Sequence, residues 1–208
     1  MIDLKTPSLV MNSHDVPGPD YTGTYTWEVP EGAPLNDVIA MIYGSYLRAA
    51  NEEKTYLRNV VINCHGWDGG GGLSIGGKGK TAITVSTASA FEFLKKRDVQ
   101  IGTLWLVACQ AAFGTSGKAL CKALAKACNC TVVAGDDDQE VEASYSVPYY
   151  GIPIVGAIGG LAGVVGGTLL QRKIYKSTID EFEGNVFRWD AAGNQSSCDP
   201  HEDIATAD

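Results

Sequence analysis

The sequence predicts an α/β fold built on a mostly parallel sheet. Three short apolar runs, LRNVVINC at 57–64, GTLWLVA at 102–108 and TVVA at 131–134, lie between polar flanks, as strands covered on both faces do. Segments with helical spacing separate them. Strands alternating with helices of 10–15 residues form βα units, and right-handed crossovers then lay helices on both faces of a parallel sheet.

Taken in order, residues 1–23 hold three of the eight prolines and no clear period, which predicts an irregular lead-in. TYTWEV at 24–29 is rich in β-branched and aromatic residues and reads as a strand closed by the Pro30/Gly32/Pro34 cluster. Leu35, Val38, Ile39, Ile42 and Tyr46 mark one apolar stripe of a helix running to about residue 50. Eight glycines between 66 and 80 argue for a loop, because glycine gives up the most backbone entropy on ordering. A helix over about 87–96 follows. Another over about 116–129 turns Leu120, Ala123, Leu124 and Ala127 inward and Lys118, Lys122 and Lys126 outward. NVFRW at 185–189 and the turn residues AAGN predict a terminal hairpin before an acidic tail. The organisation expected is a lead-in at 1–23, a core at 24–142, a Gly-rich apolar segment at 143–171, and a hairpin with its tail at 172–208.

With 208 residues, 45% of them hydrophobic and 19% charged, the chain has the composition of one globular domain with an extension. A net charge of −8 sets its surface against phosphate backbones, so no nucleic-acid partner is expected. The first fifteen residues show no secretory pattern, which leaves a cytoplasmic location or export by a leaderless route. The six cysteines read as free thiols of a reducing compartment, and Cys128-x-Cys130 is too short a spacing for an ordinary zinc pair. No metal or other cofactor is expected.

Ligands of open parallel sheets bind beyond the carboxyl ends of the strands. Two residues that can do chemistry together sit there. His65 follows VVINC and precedes Gly66; Cys109 follows LWLVA, a few residues before a helix start. A thiol near a helix N-terminus has its thiolate stabilised, and an adjacent imidazole can take its proton, which makes an activated nucleophile. The N–H groups of Gly66 and Cys109 are candidate oxyanion donors, with no Cβ at 66 to block a substrate carbonyl. Asp136, Asp137 and Asp138 follow TVVA on the same edge and are candidates to bind a substrate Lys or Arg; the alternative is a solvated acidic turn.

A hydrophobic strand ending in His-Gly, followed some forty residues later by one ending in Ala-Cys, resembles the caspase, gingipain, clostripain and legumain group of cysteine peptidases. The segment LWLVACQAAFGTSGKALCKALAKACNCTVVAGDD also resembles peptidase-like modules of bacterial surface proteins and toxins. The likeness covers about residues 55–140. It implies a caspase-like three-layer sandwich, a His65/Cys109 dyad with an oxyanion site at Gly66, and an endopeptidase of toxin or effector type that cuts peptide bonds in a protein or peptide substrate. The alternative is a catalytically silent module of that fold that binds a partner protein or a membrane.

Gly72-Leu73-Ser74-Ile75-Gly76 matches a G-x-S-x-G elbow, but glycines stand where its strand and helix should be. The same stretch falls short of a phosphate-binding P-loop. A last feature is GIPIVGAIGGLAGVVGGTLL at 151–170, twenty residues without an ionisable group, with Gly159, Gly163 and Gly167 repeating at four. Length and small-residue spacing suit a glycine-zipper helix that contacts a membrane or a partner; a buried hairpin or pocket wall is the alternative.

Overall fold

The computed structural model describes residues 1–16, 20–139 and 175–201, with Tyr175 and Lys176 described in backbone only. The expected helix at 151–170 lies outside these residues. Among the described residues no helix is long and apolar enough to cross a membrane.

Seven strands make the main sheet: β1 (Ser8–Ser13), β2 (Tyr25–Val29), β3 (Leu57–Asn63), β4 (Ile101–Val107), β5 (Thr131–Gly135), β6 (Val186–Trp189) and β7 (Gln195–Ser197). Their spatial order is β2-β1-β3-β4-β5-β6-β7. The first five run parallel, and β6 and β7 add an antiparallel edge. The chain is thus an α/β protein with a mostly parallel mixed sheet, flanked by α1 (Leu35–Arg48), α2 (Glu92–Lys96) and α3 (Gly114–Cys128).

Strand alternation divides the core cleanly. Leu9, Met11, Val60, Ile62, Leu104, Leu106, Val132 and Ala134 face one way and pack with Val38, Ile42, Leu94, Leu120 and Leu124 of the helices. Val10, Val61, Trp105, Val107 and Val133 face the other way, against Ile2, Tyr21, Ile179 and Phe182. All three described helices therefore lie on one face. The expectation of helices on both faces is corrected to that extent: short strands, Ile2–Asp3 paired with Thr178–Ile179, cover the second face among the described residues.

Two further expectations are corrected. The lead-in at 1–23 is not irregular, because Ser8–Ser13 is wholly buried between β2 and β3, with Leu9↔Val60 and Met11↔Ile62 in register. Its polar ends hid it. Those polar groups are satisfied internally: Asn12 Nδ2 donates to the Tyr21 carbonyl (2.9 Å), and its Oδ1 accepts from Asn63 Nδ2 (2.9 Å). The Gly-rich stretch is not a plain loop either. His65–Gly66, Gly72–Ser74 and Ala82–Thr84 form a small antiparallel sheet, anchored by the fully buried Leu73, Ile75 and Ile83. Three apolar side chains set its place, and glycines at positive φ (Gly69, Gly70 and Gly71) make the turn between its first two strands.

Helix α3 positions the site from below. Burial of Leu120 and Leu124 contributes about 2 kcal/mol each, which outweighs the roughly 1 kcal/mol that Gly117 costs inside a helix. Gly117 is needed: a Cβ there would meet the Ala112 backbone at 2.7 Å, so the helix start lies tight against the turn that carries Cys109.

Candidate functional site

The strand order reverses between β1 and β3, so their carboxyl ends mark the topological switch point, the place where ligands of open α/β sheets bind. Beyond β1 stand His14 and Asp15; beyond β3 stand Cys64, His65 and Gly66; beyond the adjoining β4 stands Cys109.

Gly66 and Cys109 meet closely. A Cβ built on Gly66 would fall 1.6 Å from the Cys109 carbonyl oxygen and 2.7 Å from its carbonyl carbon. Only glycine fits. The N–H of Gly66 is left free of its own ladder: Trp67 N–H donates to the Gly72 carbonyl (3.0 Å), and antiparallel alternation then turns Gly66 N–H away from the Gly72–Ser74 strand.

His65 is held from the β1 side. Its Nε2 lies 3.2 Å from Asp15 Oδ2 and is buried without a hydrogen-bond partner. His14 Nδ1 stands on the other side of the carboxylate, 3.9 Å from Oδ1, and is likewise unpartnered. Burial alone would raise the Asp15 carboxyl, but the Lys78 N–H (2.8 Å to Oδ2), the Ser13 hydroxyl (2.9 Å to Oδ1) and the neighbouring His65 outweigh it and hold the group below its ordinary range. Ser13 ties the same point to the small sheet by accepting from Gly76 N (3.1 Å) and Gly77 N (3.0 Å). Among the described residues no hydrogen bond joins Cys109 Sγ to His65.

The six thiols differ. Cys64 is buried, and burial drives its thiol far above the ordinary range, with Cys109 and Asp15 adding to the shift. Burial does the same to Cys121, whose Sγ donates to the Ala111 carbonyl (3.6 Å). Cys130 is raised by its hydrogen bond to Cys128 and by burial. Cys109 and Cys198 are the two partly exposed thiols.

The turn after Cys109 is fastened on both sides. Gln110 takes φ +53°, a left-handed conformation that costs a non-glycine residue about 1 kcal/mol. Its N–H donates to the Asp137 carbonyl (2.8 Å), its Oε1 accepts from Gly69 N (2.7 Å), and its Nε2 donates to Asp138 Oδ1 (3.0 Å). Ala112 N–H donates to the Gly135 carbonyl (2.8 Å).

The three candidate acids separate by role. Asp136 is occupied, accepting from Asn185 N (2.7 Å) and Asn185 Nδ2 (3.1 Å). Asp137 and Asp138 are exposed, and Asp138 is linked through Gln110 to the residue after Cys109. Ser74 of the elbow-like motif is 1% exposed and bonded to Trp67 Nε1 (2.8 Å) and Gly79 N (3.3 Å), so its hydroxyl serves the small sheet. Among the described residues no cluster of three or more His, Cys, Asp or Glu side chains could hold a metal ion.

Sequence reasoning brought His65, Gly66, Cys109 and the acidic turn to one edge and missed Asp15, His14, Ser13 and Gln110. The signal for the first three was the apolar run LVM closed by polar residues; for Gln110 it was adjacency to Cys109. No family model, no curated protein and no solved structure matches this chain.

Proposed function

We propose that this chain is a cysteine endopeptidase of the caspase-like type, with Cys109 as nucleophile and His65 as general base. One observation carries the reading: the Gly66 and Cys109 backbones touch, which sets an imidazole-bearing turn and a partly exposed thiol side by side at the switch point of the sheet. Asp15 supports it further, since its carboxylate stands 3.2 Å from His65 Nε2, on the β1 side of the ring, where a residue that orients the base is needed.

With Nε2 beside the Asp15 carboxylate at 3.2 Å, Nδ1 is the nitrogen assigned to take the Cys109 proton. The thiolate attacks the scissile carbonyl carbon, and the oxyanion is held by the N–H groups of Gly66 and Cys109. The tetrahedral intermediate collapses, the C–N bond breaks, and the leaving amine takes the proton from the imidazolium. Water, deprotonated by His65, then attacks the thiol ester; the acid product leaves and Cys109 is regenerated as a thiol. The exposed carboxylates of Asp137 and Asp138 make a substrate Lys or Arg next to the cut bond the preferred class. No cofactor enters this scheme. The protein acts as an effector-type protease.

A second reading has an observation in its favour. Cys109 Sγ and His65 share no hydrogen bond among the described residues, which suits a silent module of the same fold that binds a partner protein or, through 151–170, a membrane. Incubation of wild type, Cys109→Ala and His65→Ala with a fluorogenic peptide library decides between them. Turnover by wild type and by neither variant supports the peptidase; turnover by none, with Cys109 alkylated no faster than the partly exposed Cys198, supports the silent module.

A further inference from the structure

We infer that Gln110 is a positioning residue that clamps the two loops flanking Cys109, an inference that rests on the peptidase reading for its catalytic consequence but not for the clamp itself. The residue stands next to the proposed nucleophile in a left-handed conformation, with φ +53°. Backbone strain on a non-glycine residue persists only where its surroundings over-determine it. Here they do. Besides the Phe113 N–H bond to its carbonyl (3.0 Å), three hydrogen bonds join this residue to two other loops: Gly69 N–H to Oε1 at 2.7 Å on the glycine side, Nε2 to Asp138 Oδ1 at 3.0 Å and the backbone N–H to the Asp137 carbonyl at 2.8 Å on the acidic side.

The chemistry of the partners fixes which end of the amide faces which loop. Gly69 N–H can only donate and so requires Oε1, while the Asp138 carboxylate can only accept and so requires Nε2. Glutamine suits this role among polar residues. Glutamate would keep the Gly69 bond and oppose Asp138; asparagine tolerates a left-handed backbone but is one methylene shorter.

What the clamp restrains matters. The Gly69–Gly71 turn is three successive glycines at φ +81°, +75° and +87°, with many backbone states open to it once released. It packs on the nucleophile's own turn, for a Cβ on Gly70 would meet the Phe113 carbonyl oxygen at 2.5 Å and the Gln110 carbonyl oxygen at 3.2 Å. Gln110 thereby sets the distance across the mouth of the site, between the turn that follows His65–Gly66 and the acidic turn proposed to read the substrate.

Amide hydrogen exchange and peptide turnover on wild type, Gln110→Ala, Gln110→Glu and Gln110→Asn test this. In Q110A the Gly69 amide is expected to exchange about tenfold faster, the scale of one lost hydrogen bond. Turnover is expected to fall about 10- to 100-fold in kcat with KM little changed, as loss of alignment does. Q110E should keep Gly69 protected while releasing the acidic turn, a split that general destabilisation would not produce. Q110N should behave as Q110A and guards against an alanine variant that fails to fold. Unchanged Gly69 exchange in both Q110A and Q110N overturns the clamp, whatever the activity. Faster exchange in a protein whose wild type cleaves no peptide upholds the clamp and removes only the peptidase reading.

Discussion

Gly66 lies so close to Cys109 that a single added methyl carbon would sit 1.6 Å from the Cys109 carbonyl oxygen. Backbone meets backbone there, so no rotamer change can relieve the overlap. Gly66→Ala is expected to destabilise the fold by about 3 kcal/mol, at the upper end for overpacking, and to slow alkylation of Cys109. Urea unfolding followed by fluorescence checks the first outcome; a variant as stable as wild type would mean that the two segments do not touch.

The dyad is tested by removal. Cys109→Ala and His65→Ala are each expected to lower kcat/KM by roughly a thousandfold or more while circular dichroism stays unchanged, because neither side chain belongs to the packed core. Substantial turnover by C109A would remove the thiol mechanism.

Ser74 separates the thiol reading from a serine one. Ser74→Ala leaves Trp67 Nε1 and Gly79 N–H without their acceptor, which should cost about 1–2 kcal/mol of stability and leave the Cys109 alkylation rate close to wild type. Loss of all activity in S74A, with the fold intact, would instead favour a serine hydrolase.

Thiol accessibility makes a fourth expectation. Under native conditions iodoacetamide should label Cys109 and Cys198, while Cys64, Cys121 and Cys130 stay unmodified until the protein is denatured, since burial disfavours their thiolates. Peptide mapping by mass spectrometry reads this directly, and native labelling of Cys64 would contradict the packing beyond β3.

Asp15 contributes to the acid limb of stability. Its carboxyl is depressed in the fold, so the stability it contributes is fully present above the ordinary carboxylate range and is lost as pH falls through the folded value. Asp15→Asn should therefore be less stable than wild type at neutral pH, with the gap narrowing below about pH 4. A gap that does not depend on pH would show that Asp15 matters by shape rather than by charge.

Much of this arrangement could be read from residues alone because the strands it rests on are buried on both faces. VVIN and LWLV announce themselves as apolar runs, and what stands at their ends, His65-Gly66 and Cys109, was legible for that reason. Ser8–Ser13 escaped for the opposite reason. Its three apolar residues are framed by Ser8, Asn12 and Ser13, whose burial depends on partners such as Tyr21, Asn63 and Gly76, and no local pattern reveals those. Asp15 was lost with its strand. The small sheet at 65–84 was hidden by its glycines, since composition counts the entropy they lose and not the burial of Leu73, Ile75 and Ile83 that compensates for it. Gln110 shows a further limit: a left-handed glutamine is a product of its surroundings.

The placement of β1 has a mechanical corollary. A strand from the first thirteen residues is hydrogen-bonded along both sides, to β2 and to β3, in parallel ladders. Tension applied at the N-terminus would load both ladders in shear, along the strand, rather than peel them open one bond at a time. The same tension bears on Ser13 and Asp15, so the sheet and the carboxylate behind His65 would give way together.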